Sequence, residues 1–268
     1  MPADTADRPT NAEQNVNQAG AIINRVRKLP VTRYITLYLI FGIVLSALSL
    51  WVFSEIAEEL TVEGDRLTHF DTELANALHA EATPLGIQIY LVITWFGSEG
   101  VWAFGVLIGL VFLLRRDWFR LLFWAVTLIG GALLNGFMKE FFARPRPYFA
   151  DPHVIEQNYS FPSAHSMMSL ILYGLIAYLL WRAIHDRVTR YFVVFDAVLF
   201  IVLIGISRMT LGVHYISDVI GGFAAGGVWL GACIAAMNLI QQHGEYRQQM
   251  RQVIASSDQA QDKTAGRA

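Results

Sequence analysis

Ser207-Arg208-Met209-Thr210-Leu211-Gly212-Val213-His214-Tyr215-Ile216-Ser217-Asp218 is a short polar stretch set between two apolar runs, residues 192–206 and 219–237. Runs approaching twenty apolar residues cross a hydrocarbon core, so this stretch falls where one membrane helix ends and the next begins. Its polar content is specific. Residues four apart share a helix face, so His214 and Asp218 can meet. The carboxylate then accepts the Nδ1 proton and leaves Nε2 free as a nucleophile or a base. Arg208 adds a permanent charge on a planar fork suited to phosphate oxygens. Taken alone, the three side chains also fit as interfacial caps on two helices. Ionisable groups near a bilayer are nevertheless functional candidates by default.

Composition places the whole chain in the same class. Of 268 residues, 54% are hydrophobic and only 16% charged, and the apolar residues come in long runs. That is the signature of an integral membrane protein. A net charge of −2 gives no sign of a polyanionic partner, and no nucleic acid is expected. The single cysteine, Cys233, lies inside an apolar run, which rules out an intramolecular disulfide and a cysteine-based metal cluster. The polar start of the chain lacks the basic-then-apolar layout of a cleavable signal peptide, so the first apolar run is expected to be a retained anchor.

The chain in order suggests an all-α, polytopic helical bundle with six transmembrane helices. A polar N-terminal tail (1–30) carries Arg25, Arg27 and Lys28 ahead of a first span at about 34–53. An acidic stretch follows, with Glu55, Glu58, Glu59, Glu63, Asp65, Asp71, Glu73 and Glu81 against Arg66 alone. Within it, residues 70–78 have helical spacing and are expected to lie along the membrane surface. The apolar region 84–114 is too long for one straight span and is interrupted by Gly97-Ser98-Glu99-Gly100. It predicts an interfacial or re-entrant helix up to Phe96 and a second span from about Val101. Further spans are expected at about 121–142, 166–181, 192–206 and 216–239, with a polar tail at 241–268. One domain, 31–240, is expected to contain all six spans.

Six spans put both termini on one side. The N-terminal flank, the 115–120 and 182–190 loops and the C-terminal tail are basic, which predicts cytoplasmic termini in a plasma membrane. Lys139, Arg144, Arg146 and Arg208 then fall on the outer face against that rule, so function has to account for them. Gly222/Gly226 and Gly227/Gly231 have the GxxxG spacing that lets helices approach closely, a packing signal. Asp196, in the fifth span, and Arg144 have no assignable role.

Three segments converge on the outer face. Ser163, in Pro162-Ser163-Ala164-His165, precedes an apolar helical run and is a natural N-cap, and free amides at a helix start bind anions. Its plain reading is a serine cap beside an interfacial histidine. Lys139 and Arg146 flank a helix end that Pro145 and Pro147 terminate, which gives the arginine a defined direction. The third segment is the opening stretch.

Taken together, these read Lys, six residues, Arg-Pro; Pro-Ser-x-His; Ser-Arg, five residues, His, three residues, Asp. The order resembles the three-part signature of the type 2 phosphatidic acid phosphatase family, membrane relatives of vanadium haloperoxidases and bacterial acid phosphatases. The likeness covers about residues 70–240. It implies that Lys139, Arg146 and Arg208 bind the phosphate, with Ser163 and the Ala164 amide adding hydrogen bonds. It further implies His214 as nucleophile, Asp218 as the group that orients it, and His165 as the general acid. The glycine usual between serine and histidine is Ala164 here, which keeps the backbone N–H.

The resemblance therefore predicts a lipid phosphatase working through a phosphohistidine, with no cofactor or metal and no obligate protein partner. Its substrate would be a phosphorylated membrane lipid: phosphatidic acid, phosphatidylglycerophosphate or undecaprenyl diphosphate. Residues 84–100 and 151–159 are the expected head-group approaches. A lipid phosphotransferase passing the same phosphoryl group to an alcohol is the alternative, and a haloperoxidase or a non-catalytic membrane protein are further ones.

Overall fold

The computed structural model describes residues 30–61 and 65–265. Eight α-helices occur among them, and no strand: α1 (Pro30–Thr61), α2 (Asp65–Ala80), α3 (Pro84–Trp95), α4 (Glu99–Leu114), α5 (Trp118–Phe142), α6 (Ala164–Ala183), α7 (Arg187–Thr210) and α8 (Ile216–Ala265). Six candidate spans are long and apolar enough to cross a membrane: Leu37–Thr61, Pro84–Leu114, Trp118–Phe142, Ala164–Ala183, Arg187–Thr210 and Ile216–Gln252. The protein is an all-helical membrane protein, as its composition predicts. Most of the N-terminal tail, with Arg25, Arg27 and Lys28, lies outside the described residues, as does Glu63.

The chain divides into two compact units. One, residues 42–234, contains every candidate site residue. The other comprises 1–41 and 235–268; its described part is helical throughout, the start of α1 and the latter half of α8. Two helices outrun their expected ends. Where a first span ending near Phe53 is expected, α1 continues to Thr61, because 54–61 contains no breaker and is rich in Glu, Ala and Leu. Beyond 240, where a polar tail is expected, α8 stays helical to Ala265 on a run of Gln, Arg, Met and Ala.

Local chemistry sets the other ends. Thr83 caps α3, accepting the Gly86 amide at 3.1 Å with Pro84 in the first turn. Asp117 caps α5 and Asp186 caps α7, accepting from Arg120 N at 3.1 Å and Thr189 N at 2.7 Å. The last turn of α5 closes on Ala143 in the left-handed region (φ 43°), whose amide returns to Lys139 O at 2.9 Å. Arg144-Pro145-Arg146-Pro147 then cannot continue the helix.

The region 84–114 breaks where expected, at Phe96–Ser98 between α3 and α4. Tyr173 Oη of α6 donates to Phe96 O at 2.8 Å and fixes the break. There is no room for a side chain at Gly97: a methyl would come within 2.6 Å of Ile204 and 3.2 Å of the His165 ring.

Helix contacts rest on small residues and a few indole hydrogen bonds. Trp124 Nε1 donates to Gly105 O and Trp229 Nε1 to Thr127 O, each at 2.8 Å, tying α4 to α5 and α5 to α8. The GxxxG pairs serve two neighbours. A methyl on Gly231 would lie 2.6 Å from Gly42 O of α1, and one on Gly226 2.9 Å from Met167 O of α6. Gly222 does more than pack, since a methyl there would lie 2.6 Å from Ser163 O, at the start of α6. Gly222→Ala is expected to push α8 off the Ser163 turn at a cost of about 1–3 kcal/mol. A melting midpoint in detergent equal to that of the unaltered protein would refute this.

Candidate active site

Four helix ends and one loop meet at the site: the C-terminus of α5, the N-termini of α6 and α8, the C-terminus of α7, and the 143–163 connection. The connection folds back on its own start. Ser160 N donates to Arg144 O at 2.8 Å and Ser160 Oγ to Pro145 O at 3.0 Å. This presents the carbonyls of Asn158 and Tyr159 to the cations. Lys139 Nζ, buried, donates to Tyr159 O. Arg146 Nε donates to Asn158 O at 2.7 Å and its Nη2 to Tyr159 O at 3.2 Å. The outer part of the connection is pinned to α2, with His79 Nε2 3.1 Å from Asp151 Oδ1 and the His79 ring stacked on Phe149 at 3.9 Å.

The middle segment is built as a helix start. Ser163 N donates to Asp218 O at 3.0 Å, joining the beginnings of α6 and α8. Ser163 Oγ accepts the Ser166 amide at 3.4 Å and Ser163 O the Met167 amide at 3.0 Å. The amides of Ala164 and His165 are thus the open donors of this helix end. His165 is half-buried and within electrostatic reach of Arg208, His214, Arg146 and Lys139.

His214 is buried in the α7–α8 turn, with Nδ1 3.3 Å from Asp218 Oδ2. On its other side, Nε2 lies 3.0 Å from Arg146 Nη1. A guanidinium can only donate, so Nε2 must present a lone pair and the ring proton must sit on Nδ1, toward the carboxylate. The neighbours therefore select the tautomer with Nε2 unprotonated. Burial, then the charges of Arg146, Arg208 and Lys139, push the His214 pKa well below the ordinary histidine value.

Arg208, also buried, donates from Nη1 to Thr94 Oγ1 of α3 at 2.7 Å and pairs through Nη2 with Glu156. The second Glu156 oxygen lies 2.6 Å from Arg146 Nη2. A carboxylate of the chain thus bridges the two arginines of the motif. Burial opposes its charge, but Arg208 and Arg146 outweigh that and hold Glu156 below the usual carboxylate range.

All eight residues singled out in the sequence, Lys139, Arg146, Ser163, Ala164, His165, Arg208, His214 and Asp218, therefore come together in one unit. The fold compares directly with a solved one. It matches the crystal structure of a transmembrane PAP2-type phosphatidylglycerolphosphate phosphatase from Bacillus subtilis at a TM-score of 0.62 and 31% identity, covering 72% of this chain and 93% of that one. The chain belongs to the PAP2 superfamily. A model of the PAP2 superfamily matches residues 120–241. Phosphatidylglycerophosphatase B of Bacillus subtilis (strain 168) is 42% identical over 129 residues, which is 45% of this chain and 60% of that protein.

Other residues at this PAP2 site carry no motif. Glu156 and Thr94 contact Arg208, and Asp71 and Arg144 lie behind Asp218. Glu156 lies in 151–159 and Thr94 in 84–100, the two expected head-group approaches. Nothing in the sequence marks Asp71, one acidic residue among eight. Asp196 is elsewhere, lining an open groove of about 480 Å³ between α6 and α7 with Tyr173 and Phe200.

Proposed function

We propose that this protein is an integral-membrane lipid phosphatase that hydrolyses a phosphorylated lipid through a phosphohistidine on His214. The observation that carries the reading is the Nε2 lone pair of His214, held between a donor-only guanidinium and a carboxylate-bound Nδ1. A nucleophile so oriented, beside three cations and an open helix N-terminus, suits phosphoryl transfer, in which positioning and charge stabilisation carry most of the catalysis.

Lys139, Arg146 and Arg208 take the phosphate oxygens, together with Ser163 and the Ala164 amide. Nε2 attacks phosphorus, the P–N bond forms and the P–O bond to the lipid breaks. His165 gives its proton to the leaving oxygen. Water then attacks the phosphohistidine, His165 takes a proton from it, and inorganic phosphate departs. Asp218 holds the ring and faces the positive charge that the phosphorylated imidazole carries.

The relatives' names favour phosphatidylglycerophosphate as substrate, with phosphatidic acid and undecaprenyl diphosphate as the other candidates. The charge asymmetry of the loops favours cytoplasmic termini and a site on the extracytoplasmic face, and 31–240 as the phosphatase domain. Phosphate release from the three lipids, measured side by side in detergent with excess EDTA, tests the proposal. Release from at least one lipid at a rate unaffected by the chelator is expected. Loss restored only by added Mg²⁺ would overturn the metal-free route, and no release from any of them would overturn the hydrolase reading.

A further inference from the structure

Behind Asp218 lies a chain of buried charge that the phosphatase signature does not include. Both oxygens of the Asp218 carboxylate are held. Oδ2 takes the Tyr215 amide at 2.9 Å and faces His214 Nδ1 at 3.3 Å; Oδ1 takes Arg144 Nη1 at 2.6 Å, with Ser160 Oγ 3.4 Å away. Arg144 continues outward, with Nη2 on Asp71 Oδ2 at 2.7 Å and Nη1 also on Ser217 Oγ at 2.7 Å. Its guanidinium lies 4.4 Å from the centre of the Tyr215 ring, next to His214 in sequence. Asp71, fully buried, accepts the Ser217 amide at 3.1 Å and the Ser217 hydroxyl, so it also caps the start of α8. It comes from α2, outside residues 120–241 that the family model matches.

We propose that Asp71 and Arg144 are a positioning pair for the His214–Asp218 dyad. The inference rests on His214 being the nucleophile. The argument is one of charge. Arg144 alone would fix Asp218 but cancel it, because a cation at 2.6 Å offsets much of what the carboxylate offers the imidazole. Asp71 supplies the second anion at 2.7 Å, so the Asp71–Arg144–Asp218 chain keeps one net negative charge, and Asp218 stands at its His214 end. Burial works against the Arg144 charge; Asp218 and then Asp71 overcome it and hold the guanidinium above its ordinary value. The pair thus provides orientation without neutralisation, which a single arginine or a single hydrogen bond donor cannot.

The test is Asp71→Asn in the full-length protein, which keeps the shape and the acceptor for the Ser217 amide but removes the charge. With the best lipid substrate, kcat is expected to fall about 30-fold, the upper part of the coupling range for charged neighbours. KM and inhibition by orthovanadate are expected to stay within about twofold, because the phosphate cations are untouched. The phosphohistidine trapped by quenching in alkaline denaturant, where the P–N bond survives, should form more slowly by the same factor as kcat. Asp71→Asn/Arg144→Gln, which removes both charges, should be faster than Arg144→Gln alone, where two buried carboxylates face each other.

A kcat for Asp71→Asn within about threefold of wild type, or a fall in kcat matched by weaker vanadate inhibition, would overturn the proposal. If the single variant does not fold, the charge-free pair carries the test, and wild-type kcat from it would overturn the idea equally. Failure of the underlying reading is seen separately, as wild-type protein without turnover or as His214→Ala with full turnover.

Discussion

Replacing His214 with alanine is expected to lower turnover by about 10⁴-fold or more, the scale on which enzymes lose activity when a covalent nucleophile is removed. The effect should fall on kcat, since the cations proposed to hold phosphate remain. Quenched reactions with labelled lipid should show an acid-labile phosphoenzyme in wild-type protein and none in the variant. Residual turnover above a few per cent would mean that another group attacks phosphorus. The same residue bears on pH. Because burial and three cations depress the His214 pKa, the free enzyme keeps the unprotonated ring as pH falls through the ordinary histidine value. The acid-side decline of kcat/KM for a phosphomonoester should then follow the substrate's own second ionisation, near pH 6. A decline centred above about 7 would contradict the depressed value.

Arg208→Ala carries the second large effect. The side chain is buried and joins three elements, α7, Thr94 of α3 and Glu156 of the connection. On the proposed mechanism, removing it deletes a cation that faces the transition state, worth about 10²–10³-fold in kcat/KM. It also leaves Glu156 with Arg146 alone, so KM should rise as well. Arg208→Lys is expected to rescue little of this, because an ammonium cannot serve Thr94 and a phosphate in the directions a planar fork does. Near wild-type kcat/KM in the lysine variant would show that charge alone is needed.

What was legible in the sequence was legible for a local reason. Lys139, Arg146, Ser163, Arg208, His214 and Asp218 sit at the ends of apolar runs, where membrane helices must end and where a charge is conspicuous. Spacing within each segment then carried the geometry, as with the four-residue separation of His214 and Asp218. The interruption at 97–100 was legible because two glycines flank Ser98-Glu99 inside an otherwise apolar region. Asp71 was not, because its partners Arg144 and Ser217 lie 73 and 146 positions away and nothing local separates it from the acids around it. Glu156 was hidden in the same way, in a loop with no periodicity. Helix ends are not legible where polarity alone suggests a stop: residues 240–265 are polar yet rich in good helix formers, and α8 runs through them.

The bridge made by Glu156 has a consequence for which anions the pocket admits. Arg146 and Arg208 share a tethered monovalent counter-ion in this structure. Tethering gives it the high effective concentration of an intramolecular competitor. Chloride, bicarbonate or a free carboxylate brings no more charge than Glu156 already supplies and gains nothing by exchange. A phosphomonoester carries about two charges above pH 6 and can displace it. On the proposed phosphate-binding role of the two arginines, the loop would act as a valence filter, sorting anions by charge number before any contact with the lipid tail is made.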